Sequence, residues 1–270
     1  MRHWRFLFYG PSLRMSRDKQ LMVSSIFQRL KFLPAAFIIL GAAFVAAPDI
    51  AAQDKTNVRK PEVAPSSAPA PDDKKIKTPV DATRYSYEFT QPDFLIRHIV
   101  IEHDTTGTGK INFERKGEEI TIEEPIELSQ ETLTRLLGAW TELRFLESTE
   151  NYQSERQYPH LGTMRLKMEH EARKRTAEFN WTNNKNAELL ANEYRRIADQ
   201  AVLVFDISVA RESQPLNTPK LMDEFELQMK RNGLSDPKQL VPLLKDISTD
   251  EHLPLITRNH ALRLIKKIEK

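Results

Sequence analysis

The sequence predicts an α+β fold: an antiparallel sheet of about five to six strands with two helices on one face, followed by a C-terminal helical hairpin. Three observations predict it. From Tyr85 onward, short runs alternate apolar and polar residues with period two, the pattern of strands that bury one face and wet the other. Two segments among these runs place apolar residues at i, i+3, i+4 and i+7, so each is a helix with one core face. The last fifty or so residues carry only helical periodicity and helix-start signals.

Strand patterns run from Tyr85 to Phe89, Leu95 to His103, Lys110 to Arg115 and Glu119 to Glu123. The Thr/Gly-rich stretch between the second and third, Asp104 to Gly109, reads as a hairpin loop. Ser129 caps a helix whose core stripe is Leu133, Leu136, Leu137 and Trp140. Two more strands follow, one with Met164, Leu166 and Met168 inward, the other with Ala177, Phe179 and Trp181 inward, joined by a turn over Glu171 to Arg175. A long helix from Asn186 to Ala210 sets Leu190, Tyr194, Ile197, Ala201 and Val204 on the stripe facing the sheet. Its other side carries Val202, Leu203, Phe205 and Val209, more apolar surface than a single stripe needs, which predicts that the tail docks there.

The chain breaks at Gln214 to Pro219 and resumes as three helical patterns. The first spans Lys220 to Arg231. The second has Asp236 as cap, Pro237 in the first turn and Gln239 closing a capping box, ahead of Leu240, Leu243, Leu244 and Ile247. Pro254 opens the third, whose face is Ala261, Leu264, Ile265 and Ile268.

Ahead of this body lie two segments of different composition. Phe32 to Ala47 is an uncharged apolar run of 16 residues, preceded by Arg29 and Lys31 and followed by Ile50-Ala51-Ala52. That order is the basic region, apolar region and small-residue cleavage site of a secretory signal. A retained membrane anchor is the competing reading, and it needs about 20 apolar residues. Residues 1–52 are therefore a signal peptide or membrane anchor, with Met15 and Met22 as alternative starts. Residues 53–83, rich in Pro, Ala, Ser, Lys and Asp, form a disordered linker. Residues 84–213 make the α+β domain and residues 214–270 the helical appendage.

Composition narrows the function. The 270 residues contain no cysteine, which removes disulfides, thiolate metal sites and cysteine nucleophiles. The first 31 residues hold seven basic side chains against Asp18, so from Phe32 onward 33 basic residues face 37 acidic ones, a net charge of −4. The basic isoelectric point thus belongs to the targeting segment, and the folded part has no nucleic-acid footprint.

Each motif that could carry chemistry also has a structural explanation. Asp104 to Glu114 has the spacing of a calcium loop, with Asp104 first, Gly109 sixth and Ile111 eighth. Thr106 and Thr108 replace its acidic ligands, Arg115 stands where the bidentate glutamate belongs, and strands flank it, so it reads as a hairpin loop. His98 and His103 have opposite parity and face opposite sides of the sheet. His160, His170 and His252 could make a metal site only by distant convergence. Glu118, Glu119, Glu123, Glu124 and Glu127 read as a solvated edge-strand cluster, with paired carboxylates for hydrolysis as the alternative. Arg173, Lys174 and Arg175 read as a solvated hairpin tip. No Gly-x-Ser-x-Gly and no phosphate loop occurs. No catalytic, cofactor-binding or metal-ligating residue is singled out, and no cofactor is implied.

The hairpin IVIEHDTTGTGKINFE, the helix lead LSQETLTRLL with its trailing RFLES, and the strand FNWT before NEYRRI follow one another between Ile99 and Gln200. In order of elements this run resembles an uncharacterised bacterial exported domain of unknown function, though without the cysteine near the first strand that some members have. The resemblance implies a fold and no activity. The pair DPKQLVPLLKDI and TRNHALRLIKKI looks like one HEAT-type helical pair. The expected function is an exported or membrane-tethered, non-catalytic binding or structural module of the cell envelope, with an unknown envelope protein as partner, the membrane engaged through the N-terminal segment, and no nucleic acid. An envelope hydrolase using carboxylates or histidines is the alternative.

Overall fold

The structure, a computed structural model, describes residues 83–270. The signal or anchor at 1–52 and the linker up to residue 82 lie outside the described residues. Among the described residues, no helix is long and apolar enough to cross a membrane.

Six strands build one sheet: β1 (Arg84–Thr90), β2 (Ile96–Asp104), β3 (Thr108–Arg115), β4 (Thr121–Glu127), β5 (Thr163–His170) and β6 (Arg173–Phe179). Their order is β4-β3-β2-β1-β5-β6, and every neighbour pair is antiparallel. Two helices, α1 (Gln130–Glu142) and α2 (Lys185–Ser213), cover one face. The tail adds α3 (Thr218–Lys230), α4 (Val241–Thr249) and α5 (Leu255–Ile268), the last two packed as a pair.

Alternation decides which face is dry. Tyr85, Tyr87 and Phe89 on β1, Ile99 and Ile101 on β2, and Ile111 and Phe113 on β3 point at the helices and are buried. The intervening residues make a wet, charged outer face. There Arg165 bridges Glu88 at 2.7 Å and Glu178 at 2.8 Å, His98 lies between Glu88 and Glu114, and Lys110 meets Glu123 at 3.0 Å. His98 and His103 therefore do face opposite sides.

Asp104 closes the β2–β3 turn from within. Its Oδ1 accepts from the Thr106 amide (2.8 Å), the Thr106 hydroxyl (2.6 Å) and the Thr108 amide (3.1 Å); burial, the largest single effect, pushes its carboxyl up, but these donors together hold it below the usual range. Gly107 turns the chain at φ +83°, and a Cβ there would meet Leu128 at 3.1 Å. At Gly109 a Cβ would lie 1.9 Å from the Glu102 carbonyl, so β2 and β3 can pass closely only without a side chain.

Two cores share α2. The first lies between the sheet and the two helices and includes Leu136, Trp140, Leu190, Tyr194, Ile197, Phe205 and Val209. The second joins Leu203 and Ile207 of α2 to Met222 and Phe225 of α3, Leu244 and Ile247 of α4, and Ala261, Leu264 and Ile265 of α5. The tail thus packs on α2 through Leu203 as periodicity assigns, although four residues change sides: Val202, Phe205 and Val209 belong to the sheet core and Val204 to the tail core. Phe205 belongs to the sheet core, edge-on to Phe113 at 5.5 Å, and Val204 packs on the tail side. The sheet stripe advances from Ala201 by four residues to Phe205 and again to Val209, where the sequence reading advanced by three.

Three other readings change. The fourth strand begins at Thr121 and runs to Glu127 through Pro125, which the edge position tolerates because one side of an edge strand makes no ladder bonds. The strand carrying Ala177 stops at Phe179, leaving Trp181 in the loop before α2. A single 3-10 turn, Pro237–Leu240, precedes α4, with the Asp236 side chain accepting from the Lys238 amide.

Candidate functional site

At the end of the sheet where α1 stops, a cleft of about 380 Å³ opens between the segment after α1 and the β5–β6 hairpin. Its floor is aromatic and apolar: Tyr85, Trp140, Phe145 and Met168. The Trp140 ring is tilted against Tyr85 at 5.4 Å and edge-on to Phe145 at 4.7 Å. Around the rim stand Arg144, Arg173, Glu147 and His170. Arg173 reaches the Glu147 carboxylate at 2.8 Å, and His170 Nδ1 lies 2.7 Å from the Thr83 hydroxyl. This size and this mixture of apolar floor and few polar groups are those of a small binding site.

The cleft is held in shape by Arg175. Sequence places it at a solvated tip, but it lies within β6 at the inward parity of Ala177 and Phe179. Its guanidinium donates to the carbonyls of Phe145 (2.8 Å) and Glu150 (2.6 Å) and to the Tyr152 hydroxyl (3.0 Å). It also stacks over the rings of Phe145 at 4.5 Å and Tyr152 at 5.1 Å. One cation thus satisfies backbone that an irregular segment would otherwise leave unpaired, and the wall at Leu143 to Tyr152 is fixed in advance of any ligand.

With Glu171 and Asn232, Arg144 is one of three non-glycine residues with positive φ among the described residues. It follows the C-cap of α1, Leu143, and has φ +44°. That left-handed position after a helix is normally taken by glycine, because a Cβ costs roughly 1 kcal/mol or more there. Here it carries an exposed arginine on the lip of an aromatic-floored cleft, and among the described residues its guanidinium has no carboxylate partner. A strained backbone that presents a cation is a pointer to function.

Behind the floor runs a buried polar relay. His103 Nδ1 donates to the Asp104 carbonyl at 2.8 Å, which leaves Nε2 to accept from the Tyr194 hydroxyl at 2.8 Å. The Tyr194 oxygen in turn accepts from Trp140 Nε1 at 3.1 Å. Burial lowers the His103 pKa, so the ring is neutral and this tautomer is fixed. The relay locks the Trp140 ring that forms the floor.

A second hollow, about 320 Å³, lies at the same end and shares Tyr85 as a wall. It is lined by Arg84, Lys110 and Lys167 against Glu102, Asp104 and Glu169, a balanced set with no excess of either sign.

Elsewhere α2 carries titratable groups along one stripe. Asp206 pairs with Arg115, whose guanidinium also sits over Phe113 and Phe205; burial raises the Asp206 pKa and Arg115 opposes it. Burial likewise drives Asp199 from 3.8 to about 6, against the attraction of Arg195. A carboxyl whose folded pKa is raised contributes stability that is complete below about 3.8 and is lost as pH rises through about 6. Asp199→Asn cannot titrate, so between those limits it should gain on wild type by up to about 3 kcal/mol. Urea midpoints of both proteins at pH 4 and pH 7 measure that gain, and an unchanged difference would refute it.

The residues weighed in the sequence scatter. Glu123 is solvated as read, but Glu124 faces inward between Ile122 and Ile126, and burial raises its pKa. His103 is in the core, His98 on the outer face, His170 in the cleft, and His160 and His252 are elsewhere. Among the described residues no three His, Asp or Glu side chains converge as a metal site would require. The cleft residues come from α1 (Trp140), the segment after it (Arg144 and Phe145) and β6 (Arg173), and of these only Trp140 was assigned to the core in advance. No protein-family model matches this chain and no curated protein is significantly similar to it, so the resemblance of residues 99–200 rests on the motifs quoted above.

Proposed function

We propose that the protein is an exported or membrane-tethered, non-catalytic binding module of the cell envelope, and that it takes its partner in the cleft beside Arg144. The observation that carries this reading is an arginine held at φ +44°, where glycine costs least, above a preformed floor of Trp140, Tyr85 and Phe145. The floor suits an aromatic or branched aliphatic side chain, and Arg144 suits a carboxylate presented next to it. The basic flank, apolar run and Pro-rich tether before the body support delivery to the envelope on a leash.

The hydrolase alternative has one observation in its favour, the Thr83 hydroxyl 2.7 Å from His170 Nδ1. Thr83 is only 4% exposed, which closes its oxygen to an incoming carbonyl and favours binding over catalysis.

Arg144→Gly separates function from folding. It removes the cation and relieves the backbone, so the variant should be as stable as wild type or up to about 1 kcal/mol more stable. Recovery of the bound partner from envelope extract should nevertheless fall at least tenfold, the effect of about 1.4 kcal/mol. Undiminished recovery would remove the cleft from the account.

A further inference from the structure

The helix α5 has a second face that the fold does not use. Thr257, Ala261, Leu264 and Ile265 point into the second core and are buried. On the opposite side Leu255 and Ile256 are each 63% exposed and Leu262 is 45% exposed, three of the five large apolar residues recorded as exposed among the described residues. The same side carries Asn259, Arg263 and Lys266, all exposed. From Leu255 to Lys270 there are five basic residues, Arg258, Arg263, Lys266, Lys267 and Lys270, against Glu269. Lys267 is occupied, reaching Glu226 at 2.5 Å, whereas Arg263 and Lys266 have no carboxylate partner among the described residues. This concentration of positive charge belongs to a chain that is net negative from Phe32 onward.

Exposed leucine and isoleucine on a helix whose polar positions are lysine and arginine are complementary to an anionic lipid surface. Apolar side chains enter the headgroup boundary, and the cations, whose long stems lie along it, meet phosphate. We propose that the Leu255–Leu262 face of α5 docks on an anionic membrane surface. Attraction to such a surface acts on every cation within reach and is screened by salt over the Debye length. An acidic protein partner would need apolar pockets matched to Leu255 and Ile256, whereas a bilayer interface needs no matched pocket.

The absence of native cysteine makes a local test possible in the full chain. A fluorophore on Asn259→Cys reports contact at this face only, and a second on Thr176→Cys, on the outer face of the sheet, serves as control. On vesicles of phosphatidylglycerol and phosphatidylcholine containing brominated chains, the label at 259 should be quenched and the label at 176 should not. Arg263→Gln with Lys266→Gln should weaken the quenching isotherm about 30-fold, as expected for two lost cation contacts. Raising salt should weaken it in the unaltered protein. No quenching at 259, equal quenching on pure phosphatidylcholine, or protection of the label by an acidic polypeptide with no lipid contact would each overturn the proposal.

Discussion

Replacing Ile207 by Asp is expected to cost about 4 kcal/mol or more and to detach the tail from α2. Ile207 is fully buried at the centre of the second core, among residues of the kind represented by Phe225, Leu244 and Leu264. The substitution forfeits a buried branched side chain and places an unpaired carboxylate in an apolar contact, two penalties that add. Urea unfolding gives the loss, and proteolysis at Gln214 to Pro219 gives its location, since that connection should become the preferred cut. Leu216→Asp is the control, because Leu216 is 86% exposed and its replacement should change stability by less than about 0.5 kcal/mol. A small effect at Ile207 with an uncut connection would mean that the tail does not depend on α2.

Glu193→Ala should cost about 3 kcal/mol through a different part of the same interface. Glu193 is buried, and its carboxylate is the shared acceptor of a junction between α1, α2 and the segment entering α4. Arg135 donates to it at 2.9 Å, the Ser235 hydroxyl at 2.6 Å and Arg196 at 2.8 Å. The two arginines also hold backbone carbonyls, Arg135 that of Ser235 at 3.1 Å and Arg196 that of Leu234 at 2.6 Å. Removing the acid leaves Arg135 with only the exposed Glu131 at 3.0 Å and the partly buried Arg196 without its counter-charge, the case in which breaking a buried pair is expensive. Their side chains keep 32% and 23% exposure, which lets water recover part of the loss and places the estimate at the low end of the usual 3–5 kcal/mol. Glu193→Gln retains an acceptor and should cost less. Equal unfolding midpoints for wild type and Glu193→Ala would show that the junction contributes nothing net.

Much of this fold is legible because period-two and period-3.6 patterns are direct statements about which side of an element is dry. They give six strands, the inward Tyr85-Tyr87-Phe89 face, the opposite fates of His98 and His103, and the Ser129 cap that accepts from the Thr132 amide. They fail where a helix is apolar on two sides. On α2 the stripes of the two cores interleave, so Val204 and Phe205 can each be assigned to either until a register along the sheet is known. The cleft was illegible for another reason. Charge is read as exposure, yet Glu124 shares the parity of Ile122 and Ile126, and Arg175 that of Ala177 and Phe179. Holding to parity in spite of charge would have turned both inward. Nothing in the sequence marks Arg144, because its left-handed backbone follows from where α1 stops.

The claim that the cleft is the binding site is tested most directly by photo-crosslinking from within it. A photoreactive residue in place of Leu146, which lines the cleft, is compared in cells producing the full chain with the same residue in place of Thr176 on the outer face. The expected result is a discrete adduct at 146 that disappears when Thr141→Trp fills the opening, with no such adduct at 176. No adduct at 146, or the same adduct from both positions, would contradict the assignment.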